Sequence, residues 1–407
     1  MSTRSADDPC VNAFRSIFGG SPAVVSRAPG RVELLGNHTD YNGGLVLAAA
    51  IDRFTVVAGR ADEGREATVR AEIFDAIDRF DLDAIEPGPE GVWGRYVRGV
   101  AWAIQEVMGA LESGFSAVIA GNVPLGAGLS SSASLQAALA LFLLRAGLVP
   151  DGSADLDDPA RLALARVLQR SENAFVGVAS GLLDQFSVLF GRKDHALMLD
   201  CRDLTYARLP LGSPASAIVV CDSKTSRKLA DGMYNQRRQE CETVVSYFQR
   251  LRVGQEIRWL RDISHEDLIE HWDELDPIGR QRARHVITEN ARVEQGAEAL
   301  RTGNLARFGQ LMSASHASSR DDFGNSAPAL DALIASAKES PGFLGGKLSG
   351  AGWAGCTVNL VEAGQAEAFA DSVKDHHARR TGVVPEIHVC RAADGARADF
   401  WREAERA

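Results

Sequence analysis

The chain is short of what several protein classes need. Basic residues are outnumbered, 44 Lys and Arg against 54 Asp and Glu for a net charge of -10, so the basic face that nucleic acid or an anionic membrane would require is not expected. The six cysteines, Cys10, Cys201, Cys221, Cys241, Cys356 and Cys390, are scattered and form no CxxC pair, which gives a zinc ribbon or disulfide framework no support and fits a reducing compartment. No segment reaches the ~20 apolar residues of a membrane span. The opening MSTRSADDPCVNAF carries acidic residues where a signal peptide needs an apolar core. No GxxxxGK[ST] occurs, so there is no Walker A loop. A cytoplasmic protein acting on small molecules is expected, without nucleic acid or membrane partners.

What is present is ordinary globular material: 407 residues, 45% hydrophobic and 24% charged, enough for two or three domains with a substantial core. Pro22 to Pro29 and Gly43 to Arg60 read as strands, Trp93 to Met108 as a helix, and Gly114 to Pro124 as a strand stopped by its proline. Leu135 to Leu148 and Pro159 to Val176 read as helices, with short strands following around His195 to Asp200 and Ala217 to Asp222. Gly212-Ser213-Pro214 marks a boundary, predicting units at 1–212 and 213–407. Beyond it the chain reads as mostly helical to Lys338, before GGKLSG and CTVNLV flank a glycine-rich turn.

The strongest local signal is VPLGAGLSSSASLQAALALFLL, Val123 to Leu144. Glycines at 126 and 128 allow a sharp turn that presents consecutive N–H groups, and three serines then open a helix whose N-terminus favours anions. A serine N-cap after a tight turn is the simpler account, but three serines exceed what capping requires. GAGWAG, Gly350 to Gly355, matches GxGxxG yet leads into a strand, so a dinucleotide site fails on context. Asp184, set among Leu182, Leu183, Phe186, Val188 and Leu189, needs a partner for a partly buried carboxylate, and Arg31 is the candidate. Taken alone it reads as a buried capping Asp, and Glu172 as an exposed helical Glu, though both fit one cleft. In GRVELLGNHTDYNGG, Gly30 to Gly44, turn chemistry explains Asn42-Gly43-Gly44 but not Arg31, His38 and Asp40 together. Guanidinium, imidazole, amide and carboxylate from one loop suit sugar hydroxyls, each of which donates and accepts.

Three of these motifs, in order, resemble the galactokinases within the GHMP small-molecule kinases: APGRVELLGNHTDYNGG is similar to the galactokinase signature, GNVPLGAGLSSSAS to the ATP loop, and LSGAGWAGCTV to the third motif. GLLDQF, DGMYNQRRQECE and ENARVEQGAEALRTGNLARFGQLMSASHASSRDDF extend the resemblance from about Ala28 to Leu360. It implies a two-domain α+β GHMP kinase fold, with a ribosomal-S5-domain-2-like N-terminal domain, a ferredoxin-like C-terminal domain and the active site between them. It implies transfer of the ATP γ-phosphoryl group to the anomeric hydroxyl of galactose. By the same resemblance Gly126, Ala127, Gly128, Leu129, Ser130, Ser131 and Ser132 would wrap the nucleotide phosphates, and Ser132 and Glu172 would hold Mg²⁺. Asp184 would face the attacking hydroxyl with Arg31 beside it, and Asn37, His38, Asp40, Gly181 and Tyr234 would contact the sugar. A monomer or weak homo-oligomer is expected.

The family usually reads GRVNLIGEHTDY, so Glu33 and Asn37 appear exchanged, and Trp353-Ala354 stands where Phe-Gly is usual. N-acetylgalactosamine or arabinose is therefore an alternative acceptor. A non-catalytic sugar sensor is the other alternative, disfavoured because GLSSSAS is complete and Arg31, Glu172 and Asp184 are all present.

Overall fold

The computed structural model describes residues 8–89, 92–178, 180–212, 214–225 and 230–402. Helix α1 (Pro9–Phe18) is followed by β1 (Val24–Leu35), β2 (Leu45–Asp62), β3 (Glu66–Ala71), β4 (Ala76–Asp81), α2 (Trp93–Met108) and β5 (Gly114–Gly121). Then come α3 (Ser131–Arg145), α4 (Asp158–Arg170), α5 (Leu183–Phe190), β6 (His195–Asp200) and β7 (Tyr206–Pro210). After Gly212 follow β8 (Ser216–Asp222), α6 (Ala230–Leu251), α7 (His265–Glu270), α8 (Pro277–Arg301), α9 (Leu305–Ser318) and α10 (Pro328–Lys338). The chain continues through β9 (Phe343–Leu348), β10 (Cys356–Glu362), α11 (Ala366–Thr381), β11 (Glu386–Cys390) and β12 (Arg397–Phe400). Ser213, in the expected boundary, lies outside the described residues. No described helix is long and apolar enough to cross a membrane.

The first strands run longer than their apolar cores suggest. β1 passes through Arg31 and Glu33 to Leu35, and β2 is one continuous strand rather than several. Burial is the reason: every residue from Ala28 to Leu35 is buried, and backbone amides at that depth must be paired. The ladder pairs them, setting Arg31 opposite Ala50 and Glu33 opposite Ala48. The polar segment from Gly30 thus begins on a strand, and only Gly36 to Gly44 forms the turn.

The larger sheet has eight strands, ordered β12-β1-β2-β5-β3-β4 with β6 and β7 attached through β2. Leu139 and Phe142 of α3 and Phe186 of α5 pack on one face against Val46 and Val57. Val11 and Phe14 of α1 pack separately against Ala58 and Val118. The smaller sheet has four strands in the order β11-β8-β10-β9, the order of a ferredoxin-like unit, with α6 to α9 inserted after its first strand. Strand alternation divides β8 between two cores. Val219 and Cys221 meet Leu333 of α10 and Phe369 of α11, whereas Ile218 and Val220 join Val32, Leu47, Val293 and Phe308. That second core contains residues of both sheets, and it holds the two halves together. Strand β12 pairs with β1, Val24 opposite Phe400, so residues Arg397–Phe400 belong to the larger sheet; the division at 212/213 stands as our proposal for the rest.

Helix α9 lies on β9 with no side chain between them. A Cβ on Gly345 would sit 1.9 Å from the Gly309 carbonyl oxygen, and one on Gly309 would sit 2.1 Å from that of Leu344. The approach is backbone on backbone, so neither side can yield by changing a rotamer. Gly345→Ala should therefore destabilise the protein by about 2–3 kcal/mol, as overpacking does at a site that cannot relax. Gly364→Ala, with nothing within 4 Å of its Cβ, should change the denaturant midpoint little. Equal midpoints for the two variants would show that α9 moves freely on β9.

Candidate active site

A cavity of about 1170 Å³ opens between the halves, lined from the first by Arg31, the Gly36–Gly44 turn, the 125–132 loop, Glu172 and Asp184, and from the second by Tyr234 and Gly350. Every residue expected at the site lines it except Ala127, which is buried beneath the loop.

The phosphate loop is shaped by three left-handed residues, Gly126 (φ 71°), Gly128 (φ 74°) and Ser130 (φ 55°). Two are glycines, which adopt this conformation without strain. Ser130 is not, and such a residue persists only when its surroundings hold it. Its hydroxyl donates to Asp184 Oδ2 at 2.5 Å and does not cap α3, which begins at Ser131 with no side-chain cap. The capping account of the serines is therefore replaced: the first amides of a 15-residue helix are left for an anion at the cavity wall.

Asp184 stands in the first turn of α5. Arg31 donates through Nε to Asp184 Oδ1 at 2.8 Å, and Nη2 lies 2.6 Å from the same oxygen. Its Nη1 donates to the Gly128 carbonyl at 2.7 Å, and its backbone N–H to the Leu129 carbonyl at 3.0 Å. One arginine thus ties the carboxylate to the phosphate loop, as its planar fork of donors permits.

On the opposite wall the turn is held from below. His38, left-handed at φ 59°, has Nε2 2.9 Å from the Ala351 carbonyl and Nδ1 2.7 Å from the Tyr41 hydroxyl. The carbonyl only accepts, so Nε2 carries the proton and Nδ1 accepts from Tyr41. Burial lowers this imidazole to about 3, so it is neutral. Phe323, Tyr234 and Trp353 surround its ring, with centroids 4.6, 5.3 and 5.8 Å away. Asp40 is pushed up to about 7, first by burial and then by Glu33. Gly181 faces it closely: a Cβ there would lie 1.9 Å from Asp40 Oδ2.

The exchanged pair, Glu33 and Asn37, proves to be in contact. Asn37 Nδ2 donates to Glu33 Oε1 at 2.9 Å and to the Gly350 carbonyl at 2.8 Å. Its Oδ1 accepts from Asn325 at 2.7 Å and Ser319 at 3.3 Å. The amide is fully occupied by the protein. Glu33 Oε1 also accepts from the fully buried Lys347 at 2.7 Å, while its other oxygen has no hydrogen bond among the described residues. Lys347 escaped the sequence reading because a lysine in GGKLSG gives no sign of burial.

Glu172, read from sequence as an exposed helical residue, is buried at 5% exposure. α4 continues through Ser171–Val176 as a π-helical turn, which rotates this side chain inward. Burial, then Asp184, pushes its carboxyl up to about 7, and Ser180 and Gln185 donate to its Oε2 at 2.9 and 2.5 Å. No group of three or more His, Cys, Asp or Glu gathers among the described residues. One buried carboxylate and the Ser132 hydroxyl, both lining the cavity, fit Mg²⁺ arriving with its phosphates, since it binds few protein oxygens and keeps waters. Also missed were the apolar residues of the cavity lining, Ile73, Phe74, Val92, Trp93, Leu125 and Val178, among which the Phe74 and Trp93 rings lie parallel within 4°.

The galactokinase galactose-binding signature matches residues 12–61, the GHMP kinases N-terminal domain residues 95–192, and the GHMP kinases C-terminal region residues 297–379. A galactokinase from Roseiflexus sp. (strain RS-1) is 46% identical over 385 residues, 94% of each chain. One from Actinobacillus succinogenes is 38% identical over 387 residues, 94% of this chain and 96% of that one. The crystal structure of Lactococcus lactis galactokinase complexed with galactose superposes with a TM-score of 0.87 at 32% identity, covering 95% of this chain and 98% of that one. The signature falls on the strand and turn that build the acidic wall of the cavity, and the alignments run through both halves that enclose it; the chain belongs to the galactokinase family.

Proposed function

We propose that the protein transfers the γ-phosphoryl group of ATP to the anomeric hydroxyl of galactose, giving galactose 1-phosphate and ADP. The observation that carries this is the Arg31 bridge, which joins the carboxylate facing the sugar wall to the loop facing the phosphates. Phosphoryl transfer depends on positioning and charge stabilisation more than covalent chemistry. In this reading the free amides of α3 and the 126–132 loop hold the phosphates, and the apolar lining that includes Trp93 takes the base. Asp184 accepts from the attacking hydroxyl, whose oxygen bonds phosphorus as the bond to the ADP oxygen breaks. Arg31 aligns Asp184 and offsets charge on the moving phosphoryl. Mg²⁺, held by Ser132 and Glu172, would neutralise phosphate charge. His38, Asp40, Gly181 and Tyr234 shape the sugar wall, Asn37 orients Glu33, and Glu33 offers the unoccupied oxygen. The six free thiols, five of them buried, support a cytoplasmic location.

Purified protein with ATP and a divalent cation should release ADP in the presence of galactose. Asp184→Asn should lower kcat by about 10²–10⁴-fold, the usual worth of a positioned acid–base group, with circular dichroism unchanged. Turnover with another sugar and none with galactose would leave only the wider sugar-kinase class.

The Glu33–Asn37 contact predicts an epistatic pair. Asn37→Glu alone sets two carboxylates against the single Lys347 and should raise the galactose KM by about tenfold. Adding Glu33→Asn returns one carboxylate and one amide to the same place and should recover most of the loss. Additive effects in this cycle would mean the two residues do not act as a unit.

Asp40 sets a pH dependence. A carboxyl raised to about 7 is neutral below that pH and charged above it, and the charged form accepts the stronger hydrogen bonds from sugar hydroxyls. Galactose affinity should therefore rise as pH increases through about 7, and Asp40→Asn should flatten the profile. An unchanged profile in the variant would assign the titration elsewhere.

A further inference from the structure

Of the three left-handed residues in the phosphate loop, Ser130 alone carries a Cβ. Glycine would take this conformation without strain, whereas a serine keeps it only where its neighbours dictate the backbone. They do so on both sides. The Gly128 and Leu129 carbonyls just before it accept from Arg31 Nη1 at 2.7 Å and from the Arg31 backbone N–H at 3.0 Å. Its own carbonyl accepts the first amide bond of α3, from Ser134 at 3.0 Å. Where β1 meets the loop, a Cβ on Gly30 would lie 2.9 Å from the Leu129 carbonyl oxygen, so the strand leaves the loop little room to relax.

The hydroxyl held in this way is committed to Asp184. It donates to Oδ2 at 2.5 Å, and a serine hydroxyl has a single proton to donate. Toward a phosphate it therefore presents only lone pairs, and the donors left there are backbone amides. Asp184 is almost as fully engaged. A carboxylate offers about four acceptor sites, two on each oxygen. Arg31 meets Oδ1 through two nitrogens, Nε at 2.8 Å and Nη2 at 2.6 Å, and Ser130 takes one site on Oδ2. Among the described residues one site is left, on Oδ2, in a side chain that lines the cavity. Arg31 grips a single oxygen, and the last torsion of an aspartate is soft. The Ser130 hydroxyl fixes the second oxygen, and with it the direction of the free site.

On the reading that Asp184 accepts from the attacking hydroxyl, we propose that Ser130 is a positioning residue for phosphoryl transfer, setting the carboxylate plane so that the free site of Oδ2 meets that hydroxyl. The hydroxyl proton passes to Oδ2 as its oxygen bonds phosphorus and the bond to the ADP oxygen breaks, and Ser130 keeps its own proton throughout. The Ser130 side chain thus serves Asp184, and the loop binds phosphate through its backbone.

Steady-state kinetics of Ser130→Gly with galactose and ATP test this, because glycine removes the hydroxyl and suits the left-handed backbone. The variant should melt no lower than the wild type. Its kcat should fall by about 10–100-fold, the effect of a misplaced reacting group, while the KM for each substrate stays within about twofold. A double-mutant cycle separates this role from a direct one. In an Asp184→Asn background, Ser130→Gly should cost less than about twofold more, since the carboxylate it positions is already gone. An unchanged kcat in Ser130→Gly, a raised ATP KM at unchanged kcat, or a fully additive loss in the double variant would overturn the proposal. Wild-type kcat in Asp184→Asn would overturn the reading of Asp184 itself, and the role of Ser130 with it; a slow Asp184→Asn beside a normal Ser130→Gly would overturn the role of Ser130 alone.

Discussion

The guanidinium of Arg31 is the joint on which the site turns. It reaches Asp184 through two nitrogens and the Gly128 carbonyl through a third, so the carboxylate on α5 and the loop before α3 share one rigid, planar connector. Both charges are largely withdrawn from water, Arg31 at 6% and Asp184 at 28% side-chain exposure. Removing one member of such a pair strands the other, at a cost of about 3–5 kcal/mol when burial is complete. Ser130 adds a second tie from the loop to the same carboxylate. Its left-handed backbone, unfavourable by about 1–2 kcal/mol, is the local cost of that tie.

The Gly36–Gly44 turn depends on the second half of the chain. Glu289 of α8 accepts the Gly36 and Asn37 amides at 2.9 and 3.3 Å, and His285 of the same helix meets the Asn37 carbonyl at 2.9 Å. Burial raises Glu289, but Arg292, His285 and Lys347 outweigh it and hold the carboxyl at about 2. Lys347 of β9 reaches Glu33 on β1. Each of these groups would be costly to bury alone, and fully connected they specify one geometry. Packing of α9 against β9 through bare backbone fixes the level of this network, since Ser315 of α9 donates to Glu289 at 2.6 Å.

Acidic side chains gather in the cavity. Glu33, Asp40, Glu172 and Asp184 line one space, and Arg31 compensates only the last of them directly. Burial raises Asp40 and Glu172 to about 7, so near neutrality each sits at the edge of ionisation. An anion brought into the same space needs positive charge beside it, and the amides that open α3 supply part of it.

Much of this was legible in the chain itself. Helix Trp93–Met108 matched its apolar periodicity residue for residue, because that pattern is local. The phosphate loop was readable because glycine and serine spacing determines which backbone shapes are open to it. A carboxylate set among apolar residues needs a partner, the sequence offers Arg31 to Asp184 on that ground, and Arg31 Nε donates to Asp184 Oδ1 in the structure. What the residues could not reveal was depth and pairing at long range. Glu172 looks like any helical glutamate until a π turn faces it inward, and Lys347 like any lysine until a strand buries it against Glu33, 314 residues away in the chain. The sequence by itself determined the motifs, the strand and helix seeds and the membership of a family. Only the tertiary structure decided which carboxylates are buried, which hydroxyl holds Asp184, and that Glu33 and Asn37 touch, because burial and hydrogen-bond partners are set by distant segments packing together.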